Sequence, residues 1–548
     1  MTSRTLTTAV ALATALACLP AAAQSRPDED ALFGGGQQEQ PPSPANPPEN
    51  KPESTPPSSR PSEDSLFGGP SSEGEQPSGA TPTEPTSVNP SAPPAQAPAV
   101  EQSGREETRD EQALSGTTTR EAFGTEEHAD DPLKIGGQFY LRTVVQANEG
   151  VSFGNTSFSA PTLVDGYFDA RPTDRLRGMV VGRLSFDPTL PTQSTGSGSG
   201  QPGTGTRSNP SVLLDQAWLR FDIARTLFIS VGRQHVRWGT SRFWNPTDFL
   251  SPQFRDPLTI FDVRTGASMV KLQLPWEEKG WNLYAFGLLD NAGPASTLGR
   301  IGGALRAEVV VGEAEMGASA VLQRGRKPRF GFDLSSSLGP LDVYAEAALR
   351  KGWDTPLYRL PQGISFEEFI ARLEGIPINS LADLRNLPVD SYSPEGFTPQ
   401  VSGGFTYTFA YNENDTATIG FEYFYNSVGY NNPIAYPYLI AQGAFQPFYV
   451  GRHYGAFYAL LTAPGSWDRT SIILSNLGNL SDRSFTSRLD VLHRALSYLS
   501  IELYVAASYG TKGGEFRFAL DYPPFVVNDK ALVPAPTVQM GAGLRINL

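Results

Sequence analysis

From Lys134 to the C-terminus the chain carries a two-residue period. Segments of about 9–14 residues alternate apolar with polar or small side chains, and breaks rich in Gly, Pro, Asn and Asp separate them. Such a period puts successive side chains on opposite faces of a strand, so each segment predicts a strand with one apolar and one polar face. Leu341, Val343, Ala345, Ala347 and Leu349 share one face; Asp342, Tyr344, Glu346 and Arg350 share the other. Ile501, Leu503, Val505, Ala507 and Tyr509 oppose Glu502, Tyr504 and Ser508 in the same way. Ile419, Phe421, Tyr423 and Tyr425 oppose Glu422 and Asn426, and Ile301, Leu305, Val309 and Val311 oppose Arg306 and Glu308. Strands are predicted near 134–147, 161–171, 175–187, 212–223, 226–236, 261–274, 281–290, 302–311 and 313–323. The others fall near 328–338, 341–350, 399–411, 415–426, 452–463, 468–477, 482–490, 500–510 and 537–547. A soluble sandwich would alternate too. The connections separate the two.

Every second connection is mostly short, as at Pro172-Thr173-Asp174, Ala224-Arg225, Gly312, Asn412-Glu413-Asn414 and Pro464-Gly465-Ser466-Trp467. Many of the intervening ones are long: 188–211, 237–260, 351–398, 427–451 and 511–536. Short turns at one end and long loops at the other characterise outer-membrane barrels, and an even strand count puts both chain ends on the short-turn, periplasmic side. The expected fold is all-β, a transmembrane antiparallel β-barrel of about 16–18 strands over residues 132–548. No stretch reaches the ~18 consecutive apolar residues of a membrane-spanning helix.

The first 131 residues read differently. Arg4, the apolar run Ala9 to Leu19 and the small residues Ala21-Ala22-Ala23 predict a secretory signal over 1–23, too short to span a bilayer. Cys18 raises the alternative of a lipoprotein, which Ala15 and Leu16 do not fit. Cleavage after Ala23 removes the one cysteine, and with it disulfide and thiol chemistry. Residues 24–131 are rich in Pro, Ser, Glu, Gln and Gly and poor in aliphatic residues, which predicts a disordered periplasmic tail. Within it, Arg26-Pro27-Asp28-Glu29-Asp30-Ala31-Leu32-Phe33-Gly34-Gly35 recurs as Arg60-Pro61-Ser62-Glu63-Asp64-Ser65-Leu66-Phe67-Gly68-Gly69. The repeat is either duplicated low-complexity sequence or a docking peptide for a periplasmic partner. Charge divides at the same boundary. Residues 1–131 hold 21 Asp/Glu and 7 Lys/Arg, whereas 132–548 hold 36 of each, so the tail carries the whole net charge of −14. With no basic stripe or patch, nucleic acid is not an expected partner.

The densest constellation follows the fifth predicted strand: Gly232-Arg233-Gln234-His235-Val236-Arg237-Trp238-Gly239, then Phe243-Trp244-Asn245-Pro246-Thr247-Asp248-Phe249, and on through Phe254-Arg255-Asp256-Pro257-Leu258. A Gly-Arg-Gln followed by Trp-Gly and an Asn-Pro turn resembles porin-like proteobacterial barrels, the alginate-export-type channels and related families. The likeness covers about 30 residues and the general barrel layout. It implies an external loop that folds back into the lumen. Arg233, Arg237, Arg242 and Arg255, with Asp248 and Asp256 as partners, suit a constriction, because charged side chains in a pore set what passes. They suit equally well a set of ion pairs that only staples the loop to the wall. If Leu227, Ile229 and Val231 face lipid, strict alternation sends Arg233 outward as well, unless a bulge at Gly232 turns it in. At the other end, Val538, Met540, Ala542, Leu544, Ile546 and Leu548 form an unbroken apolar face. That face resembles the last strand of Gram-negative outer-membrane proteins, which the barrel-assembly machinery reads, although Leu548 stands where Phe or Trp is usual.

The expected lumen face carries both signs: Arg177, Arg183, Arg220, Lys271 and Arg306 against Asp165, Asp169, Glu308, Asp342, Glu346, Glu422 and Glu502. A mixed lumen predicts weak ion selectivity. Of four histidines, His128 falls in the tail and His493 in a short turn, leaving His235 and His453. No nucleophile–base pairing, metal-ligand spacing or phosphate-cradling loop is evident, so neither catalysis nor a cofactor is expected. Ser365 with Glu368 forms a capping box, and Gly375 suits a helix stop, predicting a short helix in the 351–398 loop. The reading that follows is a channel for small hydrophilic solutes, embedded in outer-membrane lipid. The alternative is a non-conducting barrel that binds partners through its loops and tail, which a lumen crowded by Tyr284, Phe286, Tyr344, Phe424 and Tyr504 would favour.

Overall fold

The computed structural model describes residues 132–190, 209–251, 253–259, 264–289, 301–361, 381–412, 415–520 and 533–548, with a few isolated positions between them. The expected signal sequence, the tail with its repeats and most of the 365–375 segment lie outside the described residues.

Eighteen antiparallel strands close on themselves. They are β1 (Leu133–Asn148), β2 (Thr162–Thr173), β3 (Leu176–Phe186), β4 (Ser211–Ile223), β5 (Leu227–Gln234) and β6 (Ala267–Trp276). Next come β7 (Trp281–Leu288), β8 (Gly302–Val311), β9 (Ala314–Leu322), β10 (Arg329–Leu338), β11 (Leu341–Lys351) and β12 (Phe397–Ala410). The last six are β13 (Thr416–Asn426), β14 (His453–Thr462), β15 (Thr470–Asn479), β16 (Ser484–Leu496), β17 (Leu499–Gly510) and β18 (Pro536–Asn547). Each pairs with its sequence neighbours, and β1 pairs with β18 from Gln138↔Asn547 to Asn148↔Pro536. No long edge is left to template aggregation. A three-residue strand, Ser157–Ser159, adds to the far end of β1.

The register sorts the side chains as the alternation requires. Phe168, Leu219, Leu305, Phe332, Phe405, Phe457, Leu503 and Met540 point outward and are exposed. Asp165, Arg306, Asp333, Glu346, Glu422, Arg488 and Glu502 point inward and are buried. An apolar belt this extensive has no place in water; it fits hydrocarbon, with the polar set facing the lumen. Among the described residues no helix is long and apolar enough to cross a membrane. The short turns are tight. Ala224 and Arg225, both at φ 56°, join β4 to β5 with the left-handed backbone that suits hairpin twist.

Strand positions match the sequence reading within a few residues except at β6 and β16; β16 runs on to Leu496 rather than 490, so His493, expected in a short turn, lies within the strand between Thr470 and Ile501. β6 begins at Ala267 rather than near 261, because Arg264–Gly266 belong to the preceding loop. The nine external connections are loops L1 to L9. Those that shape the site are L3 (235–266), L6 (352–396), L7 (427–452) and L9 (511–535).

Candidate functional site: a loop held across the lumen

L3 turns inward at once and lies against the inner wall. Two carboxylates from facing strands grip its backbone. Glu346 on β11 accepts Thr240 N and Ser241 N, each at 2.5 Å, on Oε1, and Thr247 Oγ1 at 2.7 Å on Oε2. Glu422 on β13 accepts Arg242 N at 2.8 Å and Phe243 N at 3.0 Å on Oε2, and Trp244 N at 2.8 Å on Oε1. Tyr344 adds its hydroxyl to Glu422 at 3.0 Å. Buried amides of a loop need acceptors, and an ionised carboxylate is a strong one, so each glutamate does for L3 what a strand neighbour does for a ladder. Both glutamates, expected as water-facing lining, are instead covered by the loop they hold, at 1 % and 0 % exposure.

The Gly-Arg-Gln…Trp-Gly signature has a physical basis. Gly232 has φ 125°, and a Cβ there would overlap the Ala217 carbonyl oxygen. Gly239 has φ 94°, and a Cβ there would overlap the Glu346 carboxylate. Only glycine reaches these conformations at little cost, and at Gly239 only a bare backbone can wrap the acid. Between and beyond them the aromatics seat the loop. Trp238 meets Phe286 edge-on at 5.5 Å and Phe249 at 6.3 Å, while Trp244, fully buried, stacks on Phe424 at 5.7 Å. Trp244 Nε1 also donates to the Phe448 carbonyl of L7 at 2.8 Å. The lumen aromatics Tyr284, Phe286 and Phe424 therefore form the seat of L3 along the wall from β6 to β15.

The loop charges separate into two roles. Arg242 lies 3.7 Å over the Tyr458 ring, Arg255 Nη1 donates to the Arg242 carbonyl at 2.7 Å, and Arg237 Nη2 reaches the Ser241 carbonyl at 3.4 Å. Asp248 pairs with Arg264 at 2.9 Å, not with any of the four arginines singled out by sequence. These contacts hold the loop to itself and to the wall. Arg306 is also structural in character, bound to Asp333 at 2.7 Å and Glu308 at 2.8 Å with its guanidinium 5.6 Å over Trp238. Arg233 lies opposite Ala217 and Ser268, which share the outward face with Val231, and bonds Thr265 Oγ1 at 3.3 Å near the external rim. The bulge sits in the neighbouring strand, where Asp215 has no partner in β3; it turns Asp215 inward to meet His235 Nε2 at 3.0 Å.

Asp256 is different. It caps Leu258 N at 2.9 Å, and the charges of Arg488 on β16 and Arg142 on β1 reach it. Burial lifts its carboxyl above the ordinary aspartate range, and the Leu258 amide and the arginines pull it back. The facing wall, β16 to β18 and β1 to β5, is free of L3's aromatic seat and dense in arginine. The Tyr504 ring lies between Arg142 at 5.0 Å and Arg488 at 3.9 Å; Arg183 pairs with Asp165 at 2.9 Å, Arg177 with Asp169 at 2.9 Å and Arg488 with Asp490 at 2.6 Å. Arg142, Arg488 and Asp215 were not singled out by sequence, and Tyr504 only as a lumen aromatic. Only their inward parity marked them, and parity does not say which strand will lie opposite a loop.

Above L3 the external loops build a core of their own. Leu384 of L6, Tyr436, Leu439 and Phe445 of L7, and Phe518 and Leu520 of L9 pack together. Beneath it Glu515 of L9 is buried. It accepts Phe448 N, Tyr454 OH at 2.6 Å and Asn479 Nδ2 at 2.9 Å. Burial, with Asp482 nearby, pushes its carboxyl up to about 8.

A closed strand ring, a lipid-facing apolar belt and an inward loop are now all in place. The chain is a closed β-barrel of the outer-membrane type. No family model and no curated protein matches its sequence. Solved structures similar to it include a triple mutant of the Rhodopseudomonas blastica porin, at 10 % identity over 76 % of this chain and 100 % of that one, TM-score 0.36. OccAB4 of Acinetobacter baumannii is similar at 5 % identity over 77 % of this chain and 100 % of that one, TM-score 0.43. OmpT, an outer membrane protein of Vibrio cholerae, is similar at 10 % identity over 76 % and 100 %, TM-score 0.33.

Proposed function

We propose that this porin-like barrel is a channel for passive diffusion of small hydrophilic solutes across the outer membrane, with the N-terminal tail in the periplasm. The observation that carries this reading is the asymmetry of the lumen. L3 is bound to the β6–β15 side by Glu346 and Glu422, and on this reading solutes pass between the loop and the arginine-lined wall. On that wall Arg142, Arg177, Arg183, Arg220, Arg488, Arg494 and Arg545 outnumber Asp165, Asp169, Asp215, Asp222, Asp490 and Glu502 by one. The excess is modest, because most of the acids are already paired, so the path prefers anions weakly. No catalytic role is proposed: His235, partnered by Asp215, serves as lining. The apolar outer face of β18 is proposed as the surface offered to the assembly machinery, and the tail repeats as a docking peptide for a periplasmic partner. Swelling of liposomes carrying the refolded barrel, in sugars of graded size, tests the channel. Uptake of small sugars with a sharp size cut-off supports it, and no uptake of any sugar contradicts it.

A second reading, a non-conducting barrel that binds partners through its loops, is favoured by the packed core of L6, L7 and L9 above L3. It expects the same liposomes to remain inert.

A further inference from the structure

The basic residues of the external rim are unevenly partnered. Near β17 and β1, Lys512 and Arg517 both pair with Glu149, at 3.4 and 2.9 Å. The tight turn from β9 to β10, Gln323-Arg324-Gly325-Arg326-Lys327-Pro328, is built otherwise. It carries Arg324, Arg326 and Lys327, and Lys351 closes the neighbouring strand β11, its amide donating to the Pro328 carbonyl at 3.1 Å. Asp354 is the acid of this corner and is already engaged. It takes Lys327 N at 2.7 Å and Arg329 Nη2 at 2.9 Å, with Arg326 Nη1 at 3.9 Å. Among the described residues Arg324, Lys327 and Lys351 have no carboxylate within 4 Å, and all three are exposed. The stem of Lys327 lies against Gly352, the residue after Lys351.

What lies beneath this cluster points to its ligand. Lys351 is in register with Phe397, and Leu349 with Phe330. Phe397, Phe330, Leu349 and Leu322 all face outward and are exposed, at 59, 43, 36 and 58 %. The cations therefore stand on the external edge of the hydrocarbon belt, above side chains that would lie along acyl chains. A soluble anion has no use for that apolar shelf; an anionic lipid uses both parts. We propose that the β9–β11 rim, through Arg324, Lys327 and Lys351, binds the phosphate of an outer-leaflet lipid headgroup, with its acyl chains on Phe330, Leu349 and Phe397. The inference is independent of whether the lumen conducts.

The test uses the full chain in phosphatidylcholine nanodiscs, titrated with a bis-phosphorylated glucosamine glycolipid (lipid A), its dephosphorylated form, or inorganic phosphate, and read by native mass spectrometry. Wild type should retain the bis-phosphate lipid and not the dephosphorylated one. Combining Arg324→Gln, Lys327→Gln and Lys351→Gln should weaken retention roughly ten- to a hundredfold. Lys512→Gln with Arg517→Gln, at the paired rim, should leave it unchanged. The turn-only pair Arg324→Gln and Lys327→Gln, which touches no strand, should give an intermediate loss. Equal retention by the triple variant overturns the proposal, as does equal loss at the paired rim. Displacement of the lipid by millimolar inorganic phosphate would assign the site to a free anion and overturn the lipid as its ligand.

Discussion

Three glutamates hold the interior of this barrel by the same device. Glu346 and Glu422 each place a buried carboxyl group among several backbone amides of L3, and Glu515 takes one of L7, Phe448 N, with the side chains of Tyr454 and Asn479. Removing such an acceptor costs the desolvation of every donor it served, about 1–3 kcal/mol for each buried group. Glu422→Gln is therefore expected to loosen L3 at Arg242–Trp244, since an amide nitrogen then faces the donors. Hydrogen exchange at those three residues should speed up at least fivefold while the strands stay protected, and unchanged exchange would show that the anchor is not Glu422. Glu515 adds a dependence on pH. Its folded pKa is raised from 4.5 to about 8 by burial and by Asp482, so the folded state binds the proton more tightly than the unfolded chain. Stability from this group is complete below about pH 4.5 and declines as pH rises through about 8. Proteolytic nicking of L7 and L9 should accordingly increase between pH 5 and 8.5. Glu515→Gln should flatten that increase, and an equally steep rise in the variant would remove Glu515 as its source.

At the scale of elements, the strands were the most legible part of the chain and L3 was legible by half. Strand positions follow from a period of two that only one sheet face can satisfy, and from turns such as Ala224-Arg225 that leave no room for other structure. The bulge at Asp215 escaped that logic, because one extra residue shifts parity locally without changing the pattern on either side. In L3 the sequence marks a dense cluster of Arg, Trp, Asn-Pro and Gly. Which acids meet it is a matter of the closed ring, in which Glu346 lies 106 positions from Thr240 and Glu422 lies 180 from Arg242. Inward parity makes Glu346 and Glu422 look like pore lining; only the three-dimensional path of the loop makes them anchors. Gly239 joins the two scales. Gly239→Ala must adopt φ 94° and drive a Cβ into the Glu346 carboxylate, whereas Gly150→Ala in the β1–β2 connection, with φ 73° and open space around it, bears the backbone strain alone. The first change is expected to destabilise L3 by about 1 kcal/mol or more beyond the second. Trp fluorescence on urea titration of the refolded barrel compares the two, and equal midpoints would contradict the contact.

For the whole molecule, charge and shape work together. The strands close a ring that is apolar outside, and L3 packs inside it on the β6–β15 side, opposite a wall rich in arginine. Asp256 of L3 lies in the field of Arg142 and Arg488 of that wall. On the proposed reading the barrel conducts, and the surplus of arginine on the free wall gives the current its sign. The most direct test is planar-bilayer recording of the refolded protein under a KCl gradient. Discrete channel openings are expected, with a reversal potential displaced modestly toward chloride, and Arg142→Gln combined with Arg488→Gln should bring that displacement close to zero. A silent bilayer, or a reversal potential on the potassium side that the arginine variants leave in place, would contradict the account.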